Sequence, residues 1–129
     1  MERRGFFPAY LFLFFLSLFL AVFLMALGAG PARAAGWTSV VLASGASHED
    51  CEEVRPGQSL HYSYVSNKPV AFRIHYHAQG KTIVVFRKNP LEKYSGKFTP
   101  EVKRKYCLMW FNTNYPAVTL RYRKSITGG

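Results

Sequence analysis

From Gly36 onward apolar residues recur with period two, and no stretch sustains a period of 3.6. This alternation restricts the fold more than any other feature, because it suits a pleated strand with one dry face and cannot build the stripe of an amphipathic helix. In Val70 to His77, Val70, Phe72, Ile74 and Tyr76 alternate with Ala71, Arg73, His75 and His77. In Ala117 to Arg123, Val118, Leu120 and Tyr122 face inward while Arg121 and Arg123 face outward. Further strand-like runs are Trp37 to Leu42, Cys51 to Val54, Ser59 to Val65, Thr82 to Arg87, Lys97 to Thr99 and Lys105 to Asn112. Turn chemistry separates them at Arg55-Pro56-Gly57-Gln58, Asn67-Lys68-Pro69, Gln79-Gly80, Asn89-Pro90 and Asn112 to Pro116. Seven or eight short strands of this kind predict an all-β domain, an antiparallel β-sandwich or jelly roll. Lys88 to Arg104 reads as a charged, Pro-containing connection, and Lys124 to Gly129 as a frayed tail.

The N-terminus is of a different kind. Met1-Glu2-Arg3-Arg4 precedes an uncharged run from Phe6 to Leu27, and Gly30-Pro31-Ala32-Arg33-Ala34-Ala35 follows. A basic start, an apolar stretch and small residues at Ala32 and Ala34 describe an export signal cleaved after Ala34 or Ala35. About 20 apolar residues also suffice to span a bilayer, so an uncleaved anchor, with membrane association through this segment, is the alternative. The chain therefore divides into a signal peptide or anchor over residues 1–35 and one domain over residues 36–129. Either way the domain is delivered outside the cytoplasm, to a periplasmic, secreted or lumenal space.

That compartment governs the reading of the two cysteines, Cys51 and Cys107. An even pair in an oxidising space reads first as a disulfide, with two buried free thiols as the alternative. A bridge closing about 56 residues corresponds to roughly 4 kcal/mol in the chain-entropy treatment.

Charge is unevenly placed. Seventeen Lys and Arg against seven Asp and Glu give a formal net charge of +10. Glu49, Asp50, Glu52 and Glu53 stand together, whereas from Arg55 onward the basic residues meet only Glu92 and Glu101. A cationic body outside the cytoplasm is suited to lipid headgroups, acidic polysaccharide or an acidic protein, and the compartment argues against nucleic acid.

Lys105 to Asn112 is apolar on both faces: Tyr106, Leu108 and Trp110 on one, Cys107, Met109 and Phe111 on the other. A central strand with Tyr106, Leu108 and Trp110 toward the core leaves the second face to be covered. Trp37 to Leu42 could pack over it, or Met109 and Phe111 form an exposed patch that marks a partner surface. Arg73, Arg121 and Arg123, with Lys103-Arg104-Lys105, would add a cationic field beside that patch.

Chemistry-bearing sets are few. If residues 59 to 77 form a hairpin about Asn67-Lys68-Pro69, His61 lies opposite His75 and shares a surface with His77. Three imidazoles suit zinc or copper, with Met109 or a water as an additional ligand to copper. The alternative is three plain surface histidines. His48 with Glu49-Asp50 offers a cation site, but "HEDCEE" reads more simply as a solvated start to a strand. No nucleophile elbow surrounds Ser44, Ser47, Ser59, Ser63 or Ser66, and no glycine-rich phosphate loop occurs. With acids scarce, catalysis is not expected, and no cofactor is called for beyond that metal.

The run "CEEVRPGQSLHYSYVSNKPVAFRIHYH", followed by "GKFTP" and then by "YCLMWFN" and "AVTLRYR", resembles the GOLD (Golgi dynamics) domain over about residues 51 to 123. That domain is a small β-sandwich of early secretory pathway cargo receptors and some lipid-transfer proteins. The resemblance implies a Cys51–Cys107 bridge and a habit of binding other molecules. The receptors continue into a coiled coil, a membrane span and a sorting tail, which have no counterpart after Arg123, so a cargo role is not implied. The expectation is an exported, non-catalytic binding or adaptor module for an anionic or protein partner, and the alternative is an extracytoplasmic metal-binding protein.

Overall fold

In the computed structural model the described residues are 36–129, and the expected signal peptide or anchor lies outside them. Six strands carry the domain: β1 Thr38–Leu42, β2 Ser47–Val54, β3 Gln58–Ala78, β4 Lys81–Phe98, β5 Arg104–Phe111 and β6 Val118–Gly128. All pairings are antiparallel within one sheet, in the order β1-β6-β3-β5-β2, with β4 also paired to β3. The all-β expectation holds, and no helix occurs among the described residues.

The strands number six rather than seven or eight because β3 and β4 each run through segments that carry turn chemistry. Asn67-Lys68-Pro69 does not reverse the chain. β3 pairs with β6 from Gln58 to Ser66 and with β5 from Ala71 to His75, so the residues between mark its passage from one half of the sheet to the other. Opposite β4, Val65 faces Lys93 and Val70 faces Leu91, and the surplus residues form a bulge. The buried Ser66 hydroxyl donates to Lys68 O at 2.6 Å, satisfying a carbonyl that the bulge takes off the ladder.

Most of Lys88 to Arg104, expected to be a connection, is strand. Among the described residues β4 pairs with β3 alone, so Pro90, which has no N–H to offer a ladder, is tolerated on it. Most of its side chains are exposed, which is why charge hid the strand. The expected frayed tail is also strand. β6 continues to Gly128 opposite Gln58, and Ile126 pairs with Leu60 and packs on the core.

The sheet curls until its two halves face one another. Leu60, Tyr62 and Tyr64 of β3 and Val118, Leu120 and Tyr122 of β6 line one half. Val70, Phe72 and Ile74 of β3 and Tyr106, Leu108 and Trp110 of β5 line the other. Trp110 is 0 % exposed, and burying a side chain of such size contributes on the order of 1.5–3 kcal/mol. Side chains of β2 and β6 join the halves: Tyr122 donates to Asp50 at 2.9 Å, and Lys124 bridges Asp50 and Glu52. His48 Nε2 lies 3.0 Å from Tyr122 Oη. Because that hydroxyl gives its proton to Asp50, His48 must donate through Nε2.

β1 pairs with β6, from Thr38 opposite Tyr122 to Leu42 opposite Val118. It therefore does not lie over the outer face of β5, as the first of the two covers considered would require. Cys51 and Cys107 stand directly opposite on β2 and β5 and are joined by a disulfide.

Candidate functional site

The outer face of β2, β5 and the second half of β3 carries three rows fixed by register. Ser47, Phe111 and Ala71 form one row, Glu49, Met109 and Arg73 the next, and Cys51, Cys107 and His75 the third. Two features are built on it.

The first is a groove of about 520 Å³ lined by Ala71, Phe72 and Arg73 of β3, Arg87, Lys88, Asn89 and Pro90 of β4, and Met109 and Phe111 of β5. Its origin is local: Phe72 faces Lys88 whereas Val70 faces Leu91, so Asn89-Pro90 bulges away from β3. Phe111 is 39 % exposed and supplies an apolar wall. Arg73 donates from Nε to Met109 Sδ at 3.1 Å. Arg87 stands directly across the ladder from Arg73, and neither forms a salt bridge among the described residues. Like charges directly opposite on neighbouring strands destabilise the pair.

The second feature is a cluster of Glu49, His75 and His77 over the disulfide. Their ligating atoms, together with Cys107 Sγ, lie within 4.8 Å of one another. His75 Nε2 is 3.0 Å from Glu49 Oε2, and His77 Nε2 is 3.7 Å from Glu49 Oε1. The His75 side chain is 0 % exposed; the Glu49 carboxylate stands at hydrogen-bond distance from Nε2, and Nδ1 has no hydrogen-bond partner among the described residues. Burial pulls the His75 pKa below its ordinary value, Glu49 acts the other way, and Arg73 and His77 add to the lowering. Thr82 Oγ1 lies 3.2 Å from His77 Nδ1 and fixes the ring with Nε2 toward the carboxylate.

The structure brings together some of the residues expected from sequence and separates others. Arg73, Met109 and Phe111 share the groove. Arg121 and Arg123 do not join them; they lie on β6, where both guanidinium groups stack on Trp37 at 5.4 and 4.9 Å. The single cationic field is thus two surfaces. His75 and His77 are together, but His61 is not: it precedes the β3 bulge, pairs in register with Lys97 and Ser125, and has Nε2 2.8 Å from Thr127 Oγ1. The hairpin that would have set it opposite His75 does not form. Met109 turns its sulfur to Arg73 instead of standing ready for a metal.

Sequence reasoning missed Arg87 and Lys88, and it considered Glu49 only beside His48 and Asp50, not with His75 and His77. Glu49 stands two residues before Cys51 on the same strand face, so the disulfide itself was the signal that carries it toward His75. The acidic run is engaged throughout: Glu49 by the histidines, Asp50 and Glu52 by Lys124, Glu53 by Lys103 at 3.4 Å.

No family model matches the chain, and no curated protein matches it. Among solved structures it is similar to PliG of Aeromonas hydrophila, a periplasmic lysozyme inhibitor of g-type lysozyme. That likeness has 9% identity and a TM-score of 0.52 over 75% of this chain and 93% of PliG. It is one of fold. A de novo designed double-stranded beta-helix matches at 22% identity and TM-score 0.43, over 70% of this chain and 99% of the design. A protein from Sulfurospirillum deleyianum matches at 9% identity and TM-score 0.44, over 71% and 99%.

Proposed function

We propose that the chain is an exported, non-catalytic binding module that engages a protein partner through the groove between β3, β4 and β5. The observation that carries this reading is the Arg73–Arg87 cross-strand pair beside the exposed Phe111. Two unpaired arginines held opposite one another are relieved by an anionic group, and an apolar wall beside them rewards a partner that brings a hydrophobic residue with its acid. The disulfide suits an oxidising, extracytoplasmic space. The resemblance to GOLD domains supports the same habit of binding and a sandwich-like reading of the curled sheet. PliG, whose fold is similar, is a periplasmic inhibitor of g-type lysozyme, so inhibition of a g-type lysozyme is the first activity to assay. N-terminal membrane association would place the module at the envelope surface.

The test is capture of partners from envelope and secreted extracts, with isolated g-type lysozyme assayed alongside. Arg73→Glu with Arg87→Glu should abolish capture, whereas Arg121→Glu with Arg123→Glu, on the other surface, should leave it largely intact. Binding should also weaken as salt screens the charges over about 8–10 Å. Partner sets that are unchanged by the first pair and insensitive to salt would remove this reading.

A further inference from the structure

We infer that Glu49, His75 and His77 bind one divalent transition-metal ion, zinc or copper, on the outer face of β2, β5 and β3. Two imidazoles and a carboxylate are borderline donors of the kind both ions take. Ligands about 2.0–2.1 Å from a tetrahedral ion stand about 3.3 Å apart; the candidate donor atoms lie within 4.8 Å of one another, with Glu49 Oε2 3.0 Å from His75 and Oε1 3.7 Å from His77, so a modest closing of these side chains seats an ion.

Three further observations point to a ligand rather than to a simple acid–histidine contact. His75 is fully buried, with no hydrogen bond at Nδ1 and only the partly exposed Glu49 carboxylate at Nε2, so an ion held at Nε2 would share that carboxylate. Thr82 Oγ1 meets His77 at Nδ1, so Nε2 is the nitrogen turned to the cluster, and it is a metal ligand in the tautomer that donates from Nδ1 to the threonine. Beneath them the disulfide ties β2 to β5, so the strand carrying Glu49 is held beside the strand paired with His75. Cys107 Sγ belongs to the cluster by distance, but in the disulfide it is no thiolate and forms a floor instead of a ligand. The side chains of His77 and Glu49 are 57% and 38% exposed, which leaves a fourth coordination position open to water or to a group from a partner. Arg73 opposes the ion's charge, so affinity rests on both imidazoles and the Glu49 carboxylate together.

The test uses the exported, untagged protein with its disulfide intact, titrated calorimetrically with zinc and separately with copper near neutral pH. One ion per chain is expected at micromolar metal. His77→Ala and Glu49→Gln should each weaken binding roughly tenfold or more, whereas His61→Ala should not. His77 and Glu49 are exposed enough for these variants to fold, which His75→Ala need not do; circular dichroism checks each. Electron paramagnetic resonance of the copper form should show two nitrogen ligands, reduced to one by His77→Ala. Absence of stoichiometric binding, or binding that His77→Ala and Glu49→Gln leave unchanged, would overturn the inference and leave a plain acid–histidine contact.

Discussion

Replacing Asn112 by alanine should be among the most damaging single changes in the domain. Its carboxamide is fully buried at the end of β5. Nδ2 donates to Leu42 O at 3.0 Å, Ala43 O at 3.2 Å and Pro116 O at 3.0 Å, and Oδ1 accepts from Asn114 N at 2.8 Å. One side chain thus ties the end of β1 to the β5–β6 connection. At about 1 kcal/mol per neutral hydrogen bond, losing the bonds to Leu42, Pro116 and Asn114 costs about 3 kcal/mol. The desolvation penalty for buried carbonyls that lose the Nδ2 donor raises this to about 4 kcal/mol. For a domain of this size the melting temperature should fall by about 15–25 °C. Urea denaturation under non-reducing conditions, followed by the fluorescence of the buried Trp110, measures the change. Asn112→Asp preserves shape and the acceptor for Asn114 but sets a carboxylate against three carbonyls, so at neutral pH it should be no more stable than the alanine variant. A loss below about 1 kcal/mol for Asn112→Ala, or an aspartate variant more stable than the alanine one, would refute the view that donation to these carbonyls joins the strands.

Two other outcomes follow from the same packing. Cys51→Ser with Cys107→Ser should lower stability by roughly 4 kcal/mol for the loop that the bond closes, read from the urea midpoint; an unchanged midpoint would mean that β2 and β5 need no covalent tie. Tyr64 and Tyr122 are pushed up to about 12, chiefly by burial, with Asp50 adding to the rise at Tyr122, and burial also raises Tyr62 and Tyr106. The fold favours the neutral phenols, so this contribution is complete below the ordinary value of 10.0 and is lost as pH rises toward 12. Tyrosinate absorbance should therefore show the buried phenols ionising together with unfolding; their independent ionisation near pH 10 in a folded chain would contradict it.

What the sequence determined by itself is what local chemistry determines. Side-chain alternation belongs to the pleat, so the β class and the outward set Arg73, Arg121 and Arg123 were legible before any strand had a partner, whereas Lys105 to Asn112, apolar on both faces, needed the fold to turn Tyr106, Leu108 and Trp110 inward. The cysteine pairing followed from there being two of them and from the compartment. The tertiary structure alone decided what depends on pairing. Asn67-Lys68-Pro69 suits a turn or a bulge equally well, and it is a bulge because β3 must leave β6 and meet β5 along the same edge. The middle of β4, between the runs Thr82 to Arg87 and Lys97 to Thr99, was hidden because a strand paired on one side among the described residues, with both faces largely wet, needs no alternation. The two surfaces are decided in the same way. Arg73 meets Arg87 only through the β3–β4 register, and Glu49 reaches His75 and His77 only because Cys51, Cys107 and His75 fall in one row across three strands. Which side chains share a row is set by hydrogen bonding between distant segments, and spacing along the chain holds no record of it.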